Sequence, residues 1–290
     1  MSIIIETDHN KAKSSSAIGT LTPQISDSQS IFKFISLSTK TSWTYLERTI
    51  KESVLVGSTS TALNDPFELC PVLIDDLSKE SIKESLKFYS KGGSACQMDP
   101  EFDLEDLESW REKCRRTYRG TVRRARILSF SDNLDSPLLW SHYAAAHKGA
   151  CLHFTGRAFN EMRYRKGVVS YKRQRPTLPF SLLLRALTYR KEECLDEEFQ
   201  RVQSELNDSM FFTKPSDWSY EGEYRVIYNG DTETGAEFNQ AGLIEVILGS
   251  RMSDENEERL RALLADSAFE KIAVRKAKIS HRTFSVDLES

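Results

Sequence analysis

The sequence predicts an α+β protein, a single domain with a mixed, mainly antiparallel sheet surrounded by helices. Strand and helix candidates follow one another irregularly, without the strict alternation that builds a parallel α/β sheet. The chain contains no internal repeat and no Pro/Gly-rich linker that would divide it. Its 290 residues, 39% of them hydrophobic, are enough for a sizeable core. We place this domain at residues 31–290.

The segment before the domain, residues 1–30, is predicted to be a flexible N-terminal arm. It is polar, contains SSS at 14–16 and has few large apolar residues between Thr7 and Ser30. Such a segment buries too little apolar surface to offset the entropy of ordering it.

Charge and cysteine usage narrow the class of protein. The formal net charge of −3 comes from 40 basic and 43 acidic residues, so no overall field draws the chain to nucleic acid or to a membrane. A basic stretch at 111–126 carries positive charges that can bind phosphate, so nucleic acid stays among the candidate partners. The five cysteines form no CxxC pair, which is typical of reduced thiols, and no apolar run is long enough to span a bilayer. We expect a cytoplasmic protein with no membrane partner, and the oligomeric state is left open.

The N-terminal part of the domain starts with two strand candidates. IFKFISL at 31–37 and SVLVGS at 53–58 gather apolar residues of high β-propensity. Between them, Thr41 or Ser42 can cap a helix. The loop TALNDPFELCP follows, and then polar helices near 77–91 and 102–122.

The central part is a strand, a helix and a second strand. RILSFS, residues 126–131, is the first strand. Ser136 and Pro137 are an N-cap and a first-turn proline for a helix that we expect to run through Lys148 and to stop at Gly149. ACLHF is the strand after it.

The C-terminal part contributes most of the remaining strands. The stretch 180–212 is predicted to be mostly helical, with a break near Tyr189 or Asn207, and a further helix is predicted from Ser253 or Asp254 to about Ala265. The strand candidates are GVVSYKR, YRVIY, LIEVILG, KIAVRKAKI and TFSVDL.

Three segments carry groups suited to chemistry, and the first is the central helix. Trp140, Tyr143 and His147 stand at i, i+3 and i+7 and would share one helix face, whereas His142 points elsewhere. A metal site from His142 and His147 is disfavoured because a spacing of five separates them by about 140° around a helix. Trp140 and Tyr143 also suit core packing, and His147 suits binding of an anion or transfer of a proton.

The second segment is NDPFE. Pro66 keeps Asp65 out of helical geometry, and Asn64 and Asp65 both favour turns, so an ordinary turn is the default interpretation. The alternative is that Asn64, Asp65 and Glu68 point into one cleft.

The third segment is KPSDWSYEGEYRVIY, with Lys214 and Trp218 before a strand. If the strand starts by Glu221, then Glu221, Glu223 and Arg225 share one face. Buried charges of this kind need partners, so they either form an ion pair on an open face or line a polar cleft. The chain lacks GxGxxG, GxxxxGK[ST], GxSxG and HExxH, which leaves the common nucleotide-binding, hydrolase and zinc-protease classes without support.

Taken in order, these segments resemble the bacterial family called domain of unknown function 2971. The resemblance runs from about Ile31 to about Ile279 and rests on the NDPFE loop, the SFS strand, WSHYAAAHKG and WSYEGEYR. Because the family is marked by the three polar segments, we predict that their residues converge on one cleft. They are Asn64, Asp65, Glu68, Trp140, His142, Tyr143, His147, Lys214, Trp218, Glu221, Glu223 and Arg225.

Three functions fit such a cleft, which we expect to take a small-molecule or nucleotide ligand. The Glu-x-Glu motif is similar to the acidic motif of ADP-ribosyltransferases, which implies NAD as substrate and Glu223 as the catalytic glutamate, with Glu221 as its helper. Under this hypothesis, Tyr143 or Trp140 stacks on the nicotinamide or adenine ring of NAD. The pyrophosphate is bound by Arg225, Lys214 or His147.

The second reading is a metal-dependent phosphodiesterase or nuclease, in which Asp65, Glu68 and Glu223 hold a divalent cation and His147 is the acid or base. The third is a non-catalytic binding module, a sensor or partner in phage defence or another stress response.

Overall fold

A computed structural model of the chain describes residues 5–6, 26–90, 106–159, 163–188, 197–231 and 234–289. The chain groups into two compact units. The first holds the described parts of Met1–Pro23, Leu63–Arg124 and Ser170–Asp217, and the second holds those of Gln24–Ala62, Ala125–Val169 and Trp218–Ser290. The predicted arm, residues 1–30, lies largely outside the described residues, and the single domain at 31–290 stays a prediction.

Helices and short strands are distributed over the whole described chain. The helices are α1 Lys40–Glu52, α2 Lys79–Ser90, α3 Leu107–Arg124, α4 Pro137–Tyr143, α5 Phe180–Thr188, α6 Glu197–Met210 and α7 Asp254–Ala265. The strands are β1 Ile5–Glu6, β2 Ser30–Ile35, β3 Val54–Leu55, β4 Val72–Ile74, β5 Ala125–Ser131, β6 Ala150–Thr155, β7 Arg165–Val168, β8 Ser170–Lys172, β9 Thr177–Pro179, β10 Thr213–Pro215, β11 Glu223–Asn229, β12 Ala236–Glu237, β13 Leu243–Leu248, β14 Ala273–Ile279 and β15 Val286–Leu288.

The second unit is built on an eight-stranded sheet with the strand order β15-β14-β13-β6-β2-β5-β11-β7. Neighbouring strands are antiparallel except β13 and β14, which run parallel. The predicted α+β class and the mixed, mainly antiparallel sheet are therefore confirmed. Strands β3 and β12 form a separate antiparallel pair.

The main core of the second unit lies on one face of this sheet. Alternate residues such as Ile31 on β2, Leu128 on β5 and Phe154 on β6 are buried there, as the period-two pattern of a strand requires. The apolar faces of α1 and α7 cover them through Leu46 and Leu260.

The opposite face of the sheet packs against α4. Trp140 is fully buried in a cluster with Cys151 and Ile247, and its ring meets that of Phe34 edge-on at 5.2 Å between centroids. The indole Nε1 donates to the backbone oxygen of Leu134 at 2.7 Å. This packing anchors α4 on the sheet.

The first unit contains the helices α2, α3, α5 and α6 and two small parallel sheets. The sheets have the orders β1-β4-β9 and β10-β8. Its buried apolar residues include Leu73 on β4, Trp110 on α3 and Phe180 on α5. None of the helices among the described residues combines the length and the apolarity needed to cross a membrane.

Two predicted helix boundaries are wrong. The N-cap of α1 is Thr39 and not Thr41 or Ser42, because Thr39 and Ser42 bond each other's backbone N–H in a capping box. Helix α4 ends at Tyr143 and does not reach Lys148. Ala145, Ala146 and His147 all have positive φ, and the N–H of His147 reaches back to the oxygen of Trp140 at 3.1 Å.

Gly149 is required at its position by close packing. A Cβ atom there would lie 2.1 Å from the backbone oxygen of Ile35 on β2. The glycine thus allows the turn after α4 to pass directly beside the sheet before β6 begins.

Candidate functional site

The polar site of the second unit begins at the end of α4. Ser136 caps this helix by accepting the N–H of Leu139 at 3.4 Å, and Pro137 occupies the first turn as predicted. One turn beyond Trp140, the hydroxyl of Tyr143 donates to Oε1 of Glu221. The cap and the buried indole therefore fix a tyrosine against a glutamate that is 78 residues away in the sequence.

The two histidines of this segment have different environments. His147 lies beyond the helix, with its ring nearly parallel to that of Trp140, at 6.2 Å between centroids, and its Nε2 3.3 Å from the hydroxyl of Ser141. Burial, together with the nearby charge of Arg251, lowers its pKa below the ordinary value. The predicted helical face shared with Tyr143 is therefore wrong for His147. His142 is exposed.

The Glu-Gly-Glu sequence does not follow the alternation predicted for a strand. Glu221 ends the 3-10 helix Ser216–Glu221, and β11 begins only at Glu223. Gly222 between them has a φ of 49°, and a Cβ at this position would lie 1.9 Å from Oδ1 of Asp132. A left-handed turn thus sets the direction of Glu221 independently of the strand that holds Glu223.

Glu221 is buried and receives polar contacts at both its side chain and its backbone. Besides the bond from Tyr143, its backbone oxygen accepts the hydroxyl of Ser131 at 2.5 Å. Ser131 in turn accepts the N–H of Asn133 at 3.0 Å. These bonds join the end of β5 to the start of β11.

Glu223 and Arg225 form a bidentate ion pair on β11. Nε of Arg225 donates to one carboxylate oxygen at 2.7 Å, and Nη2 donates to the other at 2.9 Å. The residues are 2% and 0% exposed. Of the alternatives that the sequence allowed, the same-strand ion pair is present, but it is buried and not solvated.

Lys33 on β2 was not among the predicted site residues. Its Nζ donates to the backbone oxygen of Ser129 at 3.1 Å and lies 5.5 Å from the centre of the Phe130 ring. Burial lowers the pKa of Lys33 to about 8, although the charge of Glu223 acts to raise it. A lysine inside the apolar stretch IFKFISL was the signal that could have identified it.

The first unit holds a polar cluster at NDPFE. Oδ1 of Asp65 accepts the N–H of Phe67 at 2.8 Å, so the predicted turn is present. Nζ of Lys214 lies 3.3 Å from Oε1 of Glu68, and both side chains are buried. Oδ2 of Asp65 is buried and has no hydrogen-bond partner among the described residues, whereas Asn64 is exposed.

The predicted site residues are therefore distributed over both units. Asn64, Asp65, Glu68 and Lys214 belong to the first unit, and Trp140, His142, Tyr143, His147, Trp218, Glu221, Glu223 and Arg225 belong to the second. Trp218 is half-buried beside the ring of Tyr220, at 6.1 Å between centroids. Their convergence on one cleft stays a prediction. Across the described ranges, no group of three or more His, Cys, Asp and Glu side chains is arranged to hold a metal ion.

The fold and these clusters define the class of protein as α+β, with a mixed sheet and with buried charged pairs. Residues 139–226 match the model of the family described as Protein of unknown function (DUF2971), which confirms the predicted resemblance over that segment. The matched segment contains most of α4, β6 and the Glu-Gly-Glu turn, and the NDPFE loop precedes it. No curated protein and no solved structure matches the chain.

Proposed function

We propose that this protein is a nucleotide-handling enzyme that cleaves the bond between nicotinamide and ribose in NAD, in the manner of ADP-ribosyltransferases. The proposal rests on one observation. Two buried glutamates, Glu221 and Glu223, flank the left-handed Gly222, and each is held by a different polar partner. Buried charge is costly, and it is most common where chemistry needs it.

The chemistry of the reaction suits a buried carboxylate. When the C1′–N bond breaks, nicotinamide leaves with the bonding electron pair and positive charge develops on the ribose. A preorganised carboxylate stabilises that charge far better in a water-poor site than in bulk water. Water or a side chain of a target then attacks C1′ and releases a proton. ADP-ribose or an ADP-ribosylated target is the product.

Each residue of the site has a distinct role in the proposal. Glu223 stabilises the ribosyl cation, and Glu221, oriented by Tyr143, bonds a ribose hydroxyl. Arg225 holds both oxygens of Glu223 in the structure. Both side chains are buried in the structure, so this proposal requires that NAD binding opens the site. The pyrophosphate then competes for the planar guanidinium of Arg225 and frees Glu223 for the ribose. Depletion of NAD would stop the redox metabolism of the cell. This effect is how the proposed activity would serve phage defence or a stress response.

The test is incubation of the full chain with NAD, followed by chromatography of released nicotinamide and by intact mass of the protein. Wild type should release nicotinamide, and Glu223→Gln should lower the rate by roughly 100-fold or more. Glu237→Gln is the matched control, because Glu237 forms an exposed ion pair with Arg163 and should leave the rate unchanged. Absence of both NAD binding and nicotinamide release in wild type would refute the proposal.

A non-catalytic binding module is the second candidate, and the engagement of both Glu223 oxygens by Arg225 favours it. In this case titration calorimetry should detect binding of NAD or ADP-ribose, while nicotinamide release stays at the background rate. Glu223→Gln would then weaken binding without any change in turnover.

A further inference from the structure

A second constellation of polar side chains lies on β2, β6 and β13, apart from the glutamates of the proposed NAD site. In antiparallel strands, residues directly opposite each other share a face. The register sets Ser30 opposite Thr155, and it sets His153 opposite both Phe32 and Glu245. Ser30, His153, Thr155 and Glu245 therefore lie on one face of the sheet.

The imidazole of His153 lies between a hydroxyl and a carboxylate. Its Nε2 is 2.8 Å from Oγ of Ser30, and its Nδ1 is 3.5 Å from Oε2 of Glu245. A proton on Nδ1 directed at Glu245 leaves Nε2 free to accept the proton of Ser30. The ring of Phe32, at 4.7 Å between centroids, packs against the imidazole and restricts its orientation.

The carboxylate behind the histidine is itself fixed. Glu245 is 4% exposed, and Arg275 holds both of its oxygens, with Nη2 at 2.9 Å from Oε2. Burial acts to raise the pKa of Glu245, but the hydrogen bonds from Arg275 and His153 outweigh it and lower the pKa below its ordinary value. Burial lowers the pKa of His153, which leaves the imidazole neutral at pH 7 and able to accept a proton.

The serine lies near the exposed end of β2, and a second hydroxyl lies opposite it. Residues 26–29 are exposed and Ser30 is half-buried, so the triad begins at a position that is open to solvent on its N-terminal side. Oγ1 of Thr155 is buried and has no hydrogen-bond partner within the described part of the chain.

We infer that Ser30, His153 and Glu245 form a nucleophilic triad that hydrolyses small carboxylic esters. Oγ of Ser30 attacks the ester carbonyl carbon while its proton passes to Nε2 of His153. The C–O bond then breaks, and the alcohol leaves with that proton. Water, giving a proton to His153, attacks the acyl-serine and releases the carboxylic acid and free Ser30.

The experiment uses the full chain, 4-nitrophenyl acetate as substrate and a fluorophosphonate as a covalent label mapped by peptide mass spectrometry. Wild type should turn over the ester and carry the label on Ser30. Ser30→Ala should lose the label and at least about 100-fold in turnover, and His153→Gln should lose a similar factor. Adding the second change to the first should cost little more, because triad members act as a unit.

Ser28→Ala is the matched control, since Ser28 is exposed, stands two residues before Ser30, and its hydroxyl lies 3.3 Å from that of Ser26. It should keep both label and turnover. A label on another residue, the absence of any label, or unchanged turnover in Ser30→Ala would overturn the inference. If Ser30→Ala fails to fold, the position of the label in wild type decides the question.

Discussion

Arg225 and Glu223, two residues apart on β11, satisfy each other through two parallel hydrogen bonds while both side chains are buried. Removing one member of such a pair takes away the closest counter-charge of the other in the interior. We therefore expect Arg225→Met to lower the free energy of unfolding by about 3–5 kcal/mol, as measured by urea denaturation.

The double variant Glu223→Leu with Arg225→Met should be less destabilised than Arg225→Met alone, because both members of the pair are removed and neither loses its counter-charge. Arg163→Met, which breaks the exposed pair with Glu237, is the control and should cost less than about 1 kcal/mol. Equal losses for Arg225→Met and Arg163→Met would show that burial does not govern the energy of the Glu223 pair.

The bond from Tyr143 to Glu221 gives a second prediction. Removing the hydroxyl in Tyr143→Phe withdraws a donor from a buried carboxylate and should lower the free energy of unfolding by about 1–3 kcal/mol. Tyr45→Phe is the control, because Tyr45 is 43% exposed and should change stability by less than about 0.5 kcal/mol. Thermal and urea unfolding of the three proteins provide the measurement, and an unchanged Tyr143→Phe would contradict the assigned bond.

Two glycines should respond oppositely to alanine. Gly222→Ala introduces a Cβ at positive φ and into contact with Asp132, so we expect a loss of about 2 kcal/mol or more in the free energy of unfolding. Gly120→Ala lies within α3, where the nearest atom to the new Cβ is the end of Arg124 at 3.6 Å. It should gain about 0.5–1 kcal/mol. A neutral Gly222→Ala would mean that the turn before β11 can rearrange.

The lowered pKa of Lys33 predicts how the free energy of unfolding changes with pH. Its pKa is about 8 in the folded chain against an ordinary 10.5, so between these values the unfolded chain binds the extra proton. Stability should therefore rise with pH across this window, by roughly 1–3 kcal/mol relative to Lys33→Met. Urea unfolding at a series of pH values measures it. Lys278→Met, at an exposed position of β14, should follow the wild-type curve, and parallel curves for wild type and Lys33→Met would contradict the prediction.

Local patterns predicted much of the fold. The apolar stretch around Phe32, the Ser136 cap and the start of the helix at Ser253 or Asp254 all lie where the sequence indicated, because β-propensity and capping act within a few residues. The order of the strands was not predictable in this way. Register pairs such as Ile31 with Phe154 depend on packing between segments that are more than a hundred residues apart.

The wrong predictions at the candidate site also arise because contacts between distant segments determine the structure there. Alanine is the best helix former, and nothing local indicates that Ala145 and Ala146 take positive φ. That turn is fixed by hydrogen bonds back to α4 and by the passage of Gly149 beside β2. Likewise, the sequence predicted the pairing of Glu223 with Arg225 as one alternative, but the partnership of Ser30 with His153 requires the finished sheet.

The position of β6 between β2 and β13 also bears on how a cell makes this chain. When Thr155 leaves the ribosome, β6 can already pair with β2, but its other edge is open until β13, Leu243–Leu248, has been synthesised. At synthesis rates of about 5–20 residues per second, that delay is roughly 5–20 s. For this time the nascent chain displays a strand edge ready to join a neighbouring chain, so crowded polysomes and truncated transcripts are where aggregation of this protein should begin.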